Sequence, residues 1–115
     1  MSPFDKLPEF KDELAKLSKK YHSLPQDLKK LERLILLNPV GTGKNFVTLH
    51  HTEYVRIVKA RLACKSLKYR SVRIIYAYHA DVTTFMHIEI YFKGDKENED
   101  RRRIKDYIDK VKKTT

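Results

Sequence analysis

Val55-Arg56-Ile57-Val58-Lys59-Ala60-Arg61-Leu62-Ala63-Cys64 is followed by Val72-Arg73-Ile74-Ile75-Tyr76-Ala77-Tyr78-His79. Beyond a turn at Ala80-Asp81 comes Phe85-Met86-His87-Ile88-Glu89-Ile90-Tyr91-Phe92-Lys93. These three runs decide the fold. Each mixes β-branched and aromatic residues with polar ones near period two, the pattern of a half-buried strand. Between Glu53 and Asp81 there is no acidic side chain, whereas Arg56, Lys59, Arg61, Lys65, Lys68, Arg70 and Arg73 are basic. The centre of the molecule is therefore expected to be a basic, aromatic antiparallel meander.

Alternation assigns faces. Val58, Ala60, Leu62 and Cys64 of the first run, and Val72, Ile74, Tyr76 and Tyr78 of the second, are expected in the core. In the third, Met86, Ile88, Ile90 and Phe92 should pack on helices, with Phe85, His87, Glu89, Tyr91 and Lys93 opposite. Lys59, Arg61, Arg73, His87, Tyr91 and Lys93 then share one surface. The inference depends on register, because a slip of one residue reverses the faces.

Upstream, Ser2 to Leu7 reads as a short lead-in or edge strand. Phe10, Leu14, Leu17 and Tyr21 follow Pro8 at helical spacing. Ser23-Leu24-Pro25-Gln26 has the spacing of a capping box, and proline suits a first turn. Leu28, Leu31, Leu34 and Ile35 mark a second helix, with Leu36 and Leu37 widening its apolar face. Asn38-Pro39 ends it. Val40-Gly41-Thr42-Gly43-Lys44-Asn45 is not a phosphate loop, since Asn38 and Asn45 stand where that motif needs glycine and Ser or Thr. It reads as a connection. His50-His51 has no second cluster at metal-ligand spacing, so no metal and no cofactor are assigned. Downstream, Gly94 to Asp100 is a turn whose acids suit a helix N-terminus. Ile104, Tyr107, Ile108 and Val111 stripe a basic C-terminal helix.

The 115 residues make a single domain, residues 1–115, and the formal net charge is +10. Such a charge favours nucleic acid or acidic partners. Cys64 is the only cysteine, which excludes an internal disulfide and fits a reducing compartment. Its apolar neighbours point to a buried thiol. Asp5, Lys6 and Glu9 interrupt any leader-like apolar run, and no run approaches the ~20 residues of a membrane span. A cytoplasmic protein is expected. The fold class is α+β, with two N-terminal helices on one face of a twisted antiparallel sheet and a C-terminal helix at the edge or on part of the other face.

The order of elements, with Val58-Lys59-Ala60-Arg61-Leu62-Ala63-Cys64-Lys65-Ser66, Val72-Arg73-Ile74-Ile75-Tyr76-Ala77-Tyr78 and Ile90-Tyr91-Phe92-Lys93-Gly94-Asp95-Lys96-Glu97-Asn98-Glu99, resembles the RelE/ParE superfamily of type II toxins. These segments are similar to the family's Lys-x-Arg strand, its Arg-aliphatic-aliphatic-Tyr strand and its last strand and turn, from about residue 8 to residue 111. The resemblance implies a ribosome-dependent mRNA endonuclease held inactive by a cognate antitoxin, with mRNA and ribosome as partners. By position it implies functional roles for Lys59, Arg61, Arg73, Lys93 and Lys96. It departs at Asp95, which stands about where some members carry an arginine. Members that inhibit gyrase share the fold, so a non-catalytic binder is the alternative.

Metal-free RNA cleavage must deprotonate a 2′-OH, stabilise a phosphorane and protonate the leaving 5′-oxygen. A Lys/Arg cluster serves the second need electrostatically. Arg73 and Arg61 are the expected phosphate ligands, Lys59 or Lys93 the base, and His87 or Tyr91 the proton donor. Lys65, Lys68, Tyr69, Arg70 and Lys96 are the expected RNA-binding residues, with Tyr69 placed to stack on a base.

Overall fold

The computed structural model describes residues 2–68 and 70–114. Its elements are β1 (Phe4–Lys6), α1 (Pro8–Lys20), α2 (Leu24–Leu37), β2 (Phe46–His51), β3 (Arg56–Ala63), a short 3-10 turn (Lys65–Leu67), β4 (Ser71–His79), β5 (Thr84–Phe92) and α3 (Arg101–Thr114). The five strands form one sheet in the order β1-β5-β4-β3-β2. The central meander is antiparallel as expected. β1 adds to β5 in parallel, pairing Phe4 with Phe85, so the sheet is mixed. β2 is an edge strand that is not among the strands expected from the sequence. Its residues are largely half-buried or exposed and it carries a bulge between Thr48 and His50, so its alternation is weak.

One face of the sheet carries α1 and α2. Pro8 at the start of α1, Glu9 in its first turn and Lys19 and Lys20 in its last suit the helix geometry and dipole. Phe10 enters the core, together with Leu24, Leu28, Leu31 and Ile35 of α2. Val58, Ala60, Leu62, Cys64, Val72, Ile74 and Tyr76 meet them there, as their alternation predicts. Leu36 and Leu37 do not widen the buried face of α2, being 47% and 85% exposed, and Leu34 of the expected stripe is 57% exposed. The sheet is met by the Leu24/Leu28/Leu31/Ile35 stripe. Gly41 takes φ +67, and a Cβ there would lie 2.7 Å from Val58 Cγ1. The connection after α2 is thus pressed against β3, where the Tyr76 hydroxyl donates to the Pro39 carbonyl at 3.1 Å.

The expected capping box is not formed. Ser23 makes no side-chain cap bond to α2. Its hydroxyl instead donates to Asp27 Oδ2 at 2.7 Å and accepts from the Ser66 amide at 2.8 Å. Asp27, nearly buried, also accepts from the Lys65 amide at 3.0 Å. A tertiary contact with the β3–β4 turn has taken the hydroxyl that a local cap would have used.

The other face carries α3. Ile104 and Ile108 pack on Val55, Ile57, Ile75, Ala77 and Ile88, with Tyr107 beside them. Asp100 Oδ1 caps the helix by accepting from the Arg103 amide at 3.0 Å. The Arg103 guanidinium holds Glu13 of α1 through two 2.9 Å bonds and the Ile88 carbonyl through a third. Glu13 also accepts from the Ile90 amide at 3.3 Å. These contacts close the edge of β5 that short β1 leaves uncovered.

The meander contains one irregularity that the alternation does not show. Ile75 pairs with Glu89, but Tyr76 pairs with His87, so Ile88 is an extra residue in β5. On the Ile90 side of this bulge Ile90 and Phe92 face α1 and α2, as expected. On the other side the parity inverts. Phe85 and His87 face those helices, while Met86 and Ile88 turn to the α3 side. The expected placement of Met86 and Ile88 against α1 and α2 is therefore corrected, as is that of Phe85 and His87 opposite them.

α3 is also tied to β4 by His79 Nε2 and the Tyr107 hydroxyl, 2.6 Å apart. Burial holds the His79 imidazole below its ordinary value of 6.5, against the opposing influence of Asp81 and a backbone bond at Tyr54. The unfolded chain then takes up this proton at higher pH than the folded one, so acid favours unfolding. The contribution is complete above about pH 6.5 and is lost as pH falls through the depressed folded value. Thermal melts between pH 7.5 and 5.5 are expected to show a falling Tm whose slope is shallower in His79→Gln. An unchanged slope in the variant would refute this source of acid sensitivity.

Candidate functional site

α3 covers only part of its face, and the uncovered part is basic. Register places Arg61, Arg73 and Tyr91 in one row across β3, β4 and β5. The neighbouring row is Lys59, Ile75 and Glu89. A cleft of about 210 Å³ is lined by Lys44, Asn45, Lys59, Arg61, Arg73 and Lys93, among others. Four of the six expected catalytic residues therefore converge on it, with Tyr91 next to Arg73 in the strand register.

Arg61 lies beyond the last β2 pair, Phe46 with Ala60, and is exposed. Its amide donates to the Asn45 carbonyl at 2.9 Å, which brings Lys44 to the cleft. Two like charges directly opposite on adjacent strands repel, by roughly 0.2–1 kcal/mol at ordinary sites. Burial, then the Arg61 charge, lowers the Arg73 pKa, although Tyr91 opposes them. The guanidinium stays charged at neutral pH and rests on the Ser71 hydroxyl. An anion between Arg61 and Arg73 would relieve their repulsion.

Lys59 and Lys96 are engaged by acids. Lys59 Nζ lies 2.9 Å from Glu99 Oε1. Burial is the largest influence and opposes ionisation of Glu99, but the hydrogen bond and charge of Lys59, a backbone hydrogen bond and the Arg101 charge together hold the carboxyl below its ordinary range. Glu89, fully buried, accepts from Lys96 Nζ and, at 2.7 Å, from the Asp100 amide. Lys96 also sits 5.6 Å from the centre of the Tyr91 ring. The Tyr91 hydroxyl is pushed up to about 12 by burial and by Glu99 and Glu89, with Arg73 acting the other way. It is a protonated phenol at neutral pH and is 5% exposed.

His87 is not in the site. The bulge turns it inward, where it is completely buried. Its ring stacks on Phe10 at 4.8 Å and Phe4 at 5.3 Å, and Nε2 meets Glu32 Oε2 at 2.8 Å. The expectation that His87 joins Lys59 and Arg73 is corrected on this ground.

The expected RNA-binding residues divide. Lys65 and Lys68 are exposed at the β3–β4 turn, two residue pairs beyond Arg61 and Arg73. Lys65 and Arg61 border a separate cleft against α2. The Arg70 guanidinium lies 5.6 Å from the centre of the Phe92 ring. Lys96 is held by Glu89, a positioning contact. Tyr69 lies outside the described residues.

Sequence reasoning missed Lys44, Glu89 and Glu99. Lys44 stands in the Gly-rich connection, and only the pairing of β2 with β3 brings it beside Arg61. In the sequence Glu99 reads with its acidic neighbours as helix-dipole charge. Nothing in its local pattern signals a partner forty residues away.

No protein-family model matches the chain, and no curated protein matches it. Among the described residues no helix is long and apolar enough to cross a membrane.

Proposed function

We propose that the basic cleft holds the phosphate backbone of RNA, and that the protein is a cytoplasmic RelE/ParE-like toxin cleaving messenger RNA on the ribosome. The observation that carries this reading is the Arg61–Arg73 pair, opposed across two strands within a cleft that Lys44, Lys59 and Lys93 also line. Such a site is electrostatically incomplete without an anion.

In the proposed reaction the arginines bind the non-bridging oxygens. The 2′-oxygen forms its bond to phosphorus as its proton passes to a base, and the bond to the 5′-oxygen breaks as that oxygen gains a proton. Lys93, exposed at the rim, suits the base role better than Lys59, whose ammonium Glu99 engages. Tyr91 supplies the phenolic proton. An antitoxin would compete for the cleft by presenting carboxylates to Arg61 and Arg73.

A second reading is favoured by a specific observation. With His87 buried and Lys59 ion-paired, few groups are left to shuttle protons, which suits a non-catalytic binder of anionic partners, gyrase inhibition included. Induced expression in a bacterial host with primer extension on several transcripts separates the two. Growth arrest with cuts inside translated codons is expected. Arrest with intact transcripts would replace cleavage by binding as the activity.

A further inference from the structure

Two cavities open on the α3 side of the sheet, and a single ion pair stands between them. The smaller is the basic cleft. The larger, about 500 Å³, lies between β2 and α3 and has Glu99 on its wall, while Lys59 lines the smaller. Those two side chains meet at 2.9 Å. A ligand with its phosphate at Arg61 and Arg73 thus has an adjoining volume for the group that the phosphate carries. Its size falls within the ~300–1,000 Å³ of small-ligand pockets.

The lining of this groove is specific in character. Leu49, Ile104 and Ile108 give it an aliphatic wall, Glu99, Asp109 and His50 bring polar atoms to it, and Arg101, Lys105 and Lys112 complete the lining with basic side chains. Glu99 Oε1 is taken by Lys59, but Oε2 is 3.9 Å from the Arg101 Nε, beyond hydrogen-bond length. A carboxylate has about four acceptor sites, so Glu99 keeps capacity to accept beside its bonds to Lys59 and to backbone. The Asp109 carboxylate, half-exposed, is 3.7 Å from Lys105. His50 Nε2 is shielded from solvent and has no hydrogen-bond partner among the described residues. Aliphatic side chains can cover the apolar face of an unstacked base, and carboxylate acceptors suit its exocyclic amino group.

We propose that the β2–α3 groove is a nucleobase subsite for the base next to the phosphate held in the basic cleft, favouring bases with an exocyclic amino group over uracil. The inference rests on the reading of that cleft as an RNA-phosphate site. It adds a recognition element that the strand residues do not provide.

The test uses uncleavable 2′-deoxy dinucleotides with the whole chain, followed by calorimetry and amide chemical shifts. The adenine dinucleotide is expected to bind about tenfold more tightly than its abasic analogue, the order expected for burying one base face against aliphatic side chains. Shifts should gather at Leu49, Ile104 and Ile108. Asp109→Trp, which fills the groove from its exposed side, should abolish the tenfold increment and leave abasic binding unchanged. Lys105→Trp provides a second block should the first fail to fold. Glu99→Gln should narrow the preference for adenine over uracil. Equal binding of the adenine and abasic compounds, with phosphate binding intact, would overturn the subsite and leave the cleft reading standing. Failure of both compounds and of inorganic phosphate to bind would overturn the two together.

Discussion

Arg73→Ala is expected to reduce cleavage of translated mRNA by about 10²–10³-fold, the usual cost of removing one preorganised charge-stabilising donor. The fold should not suffer with it. Arg73 faces Arg61 across β3 and β4, and the charge of Arg61 already lowers its pKa. Truncation removes that repulsion, so stability should stay within about 1 kcal/mol of the parent. A residue kept for packing would show the opposite signature, with lost stability and retained activity. Cleavage on programmed ribosomes and a denaturant titration, made on the same preparation, check both halves. Arg73→Lys should recover only part of the rate, because an ammonium lacks the planar fork that grips two phosphoryl oxygens. Full cleavage by a folded Arg73→Ala protein would remove this residue from the mechanism.

His87→Ala should behave in reverse. Its ring fills a slot between Phe4 and Phe10 that no other side chain occupies, and its Nε2 bond reaches Glu32 on α2. Emptying the slot is expected to cost about 2–4 kcal/mol, as for other large-to-small changes in a core. His87→Phe keeps the stack and loses only the bond to Glu32, which is 18% exposed and can turn to water. It should cost about 1 kcal/mol. Cleavage per folded molecule should be unchanged in both variants. A His87→Phe protein that is stable but inactive would mean that the imidazole acts in the chemistry, contrary to its burial.

These two residues show where the sequence was legible and where it was not. Val58, Ala60 and Leu62 on one face, with Lys59 and Arg61 on the other, follow from period two in a strand without irregularity. The same rule holds for Val72 to Tyr78 in β4. The helices α1 and α2 were equally readable, because an amphipathic stripe and a flanking proline are local signals. β1 and β2 were harder, being three and six residues long with little alternation.

What the sequence by itself determined is the class of the fold, the faces of β3 and β4, and the gathering of Lys59, Arg61, Arg73 and Lys93 on one surface. All of it rests on periodicity, a property of neighbouring residues. The tertiary structure alone decided the rest. It placed an extra residue at Ile88, which inverts parity for half of β5 and sends His87 into the core. It turned the Ser23 hydroxyl from a local backbone cap to the Asp27 carboxylate and the Ser66 amide. It joined Lys59 to Glu99, forty residues apart, and so set the wall between a basic cleft and an aliphatic groove. A bulge forms where packing on both faces of a strand rewards it, and an ion pair forms where two chain segments meet. Neither leaves a periodic trace in the chain, because the energies that select them come from contacts distant in sequence.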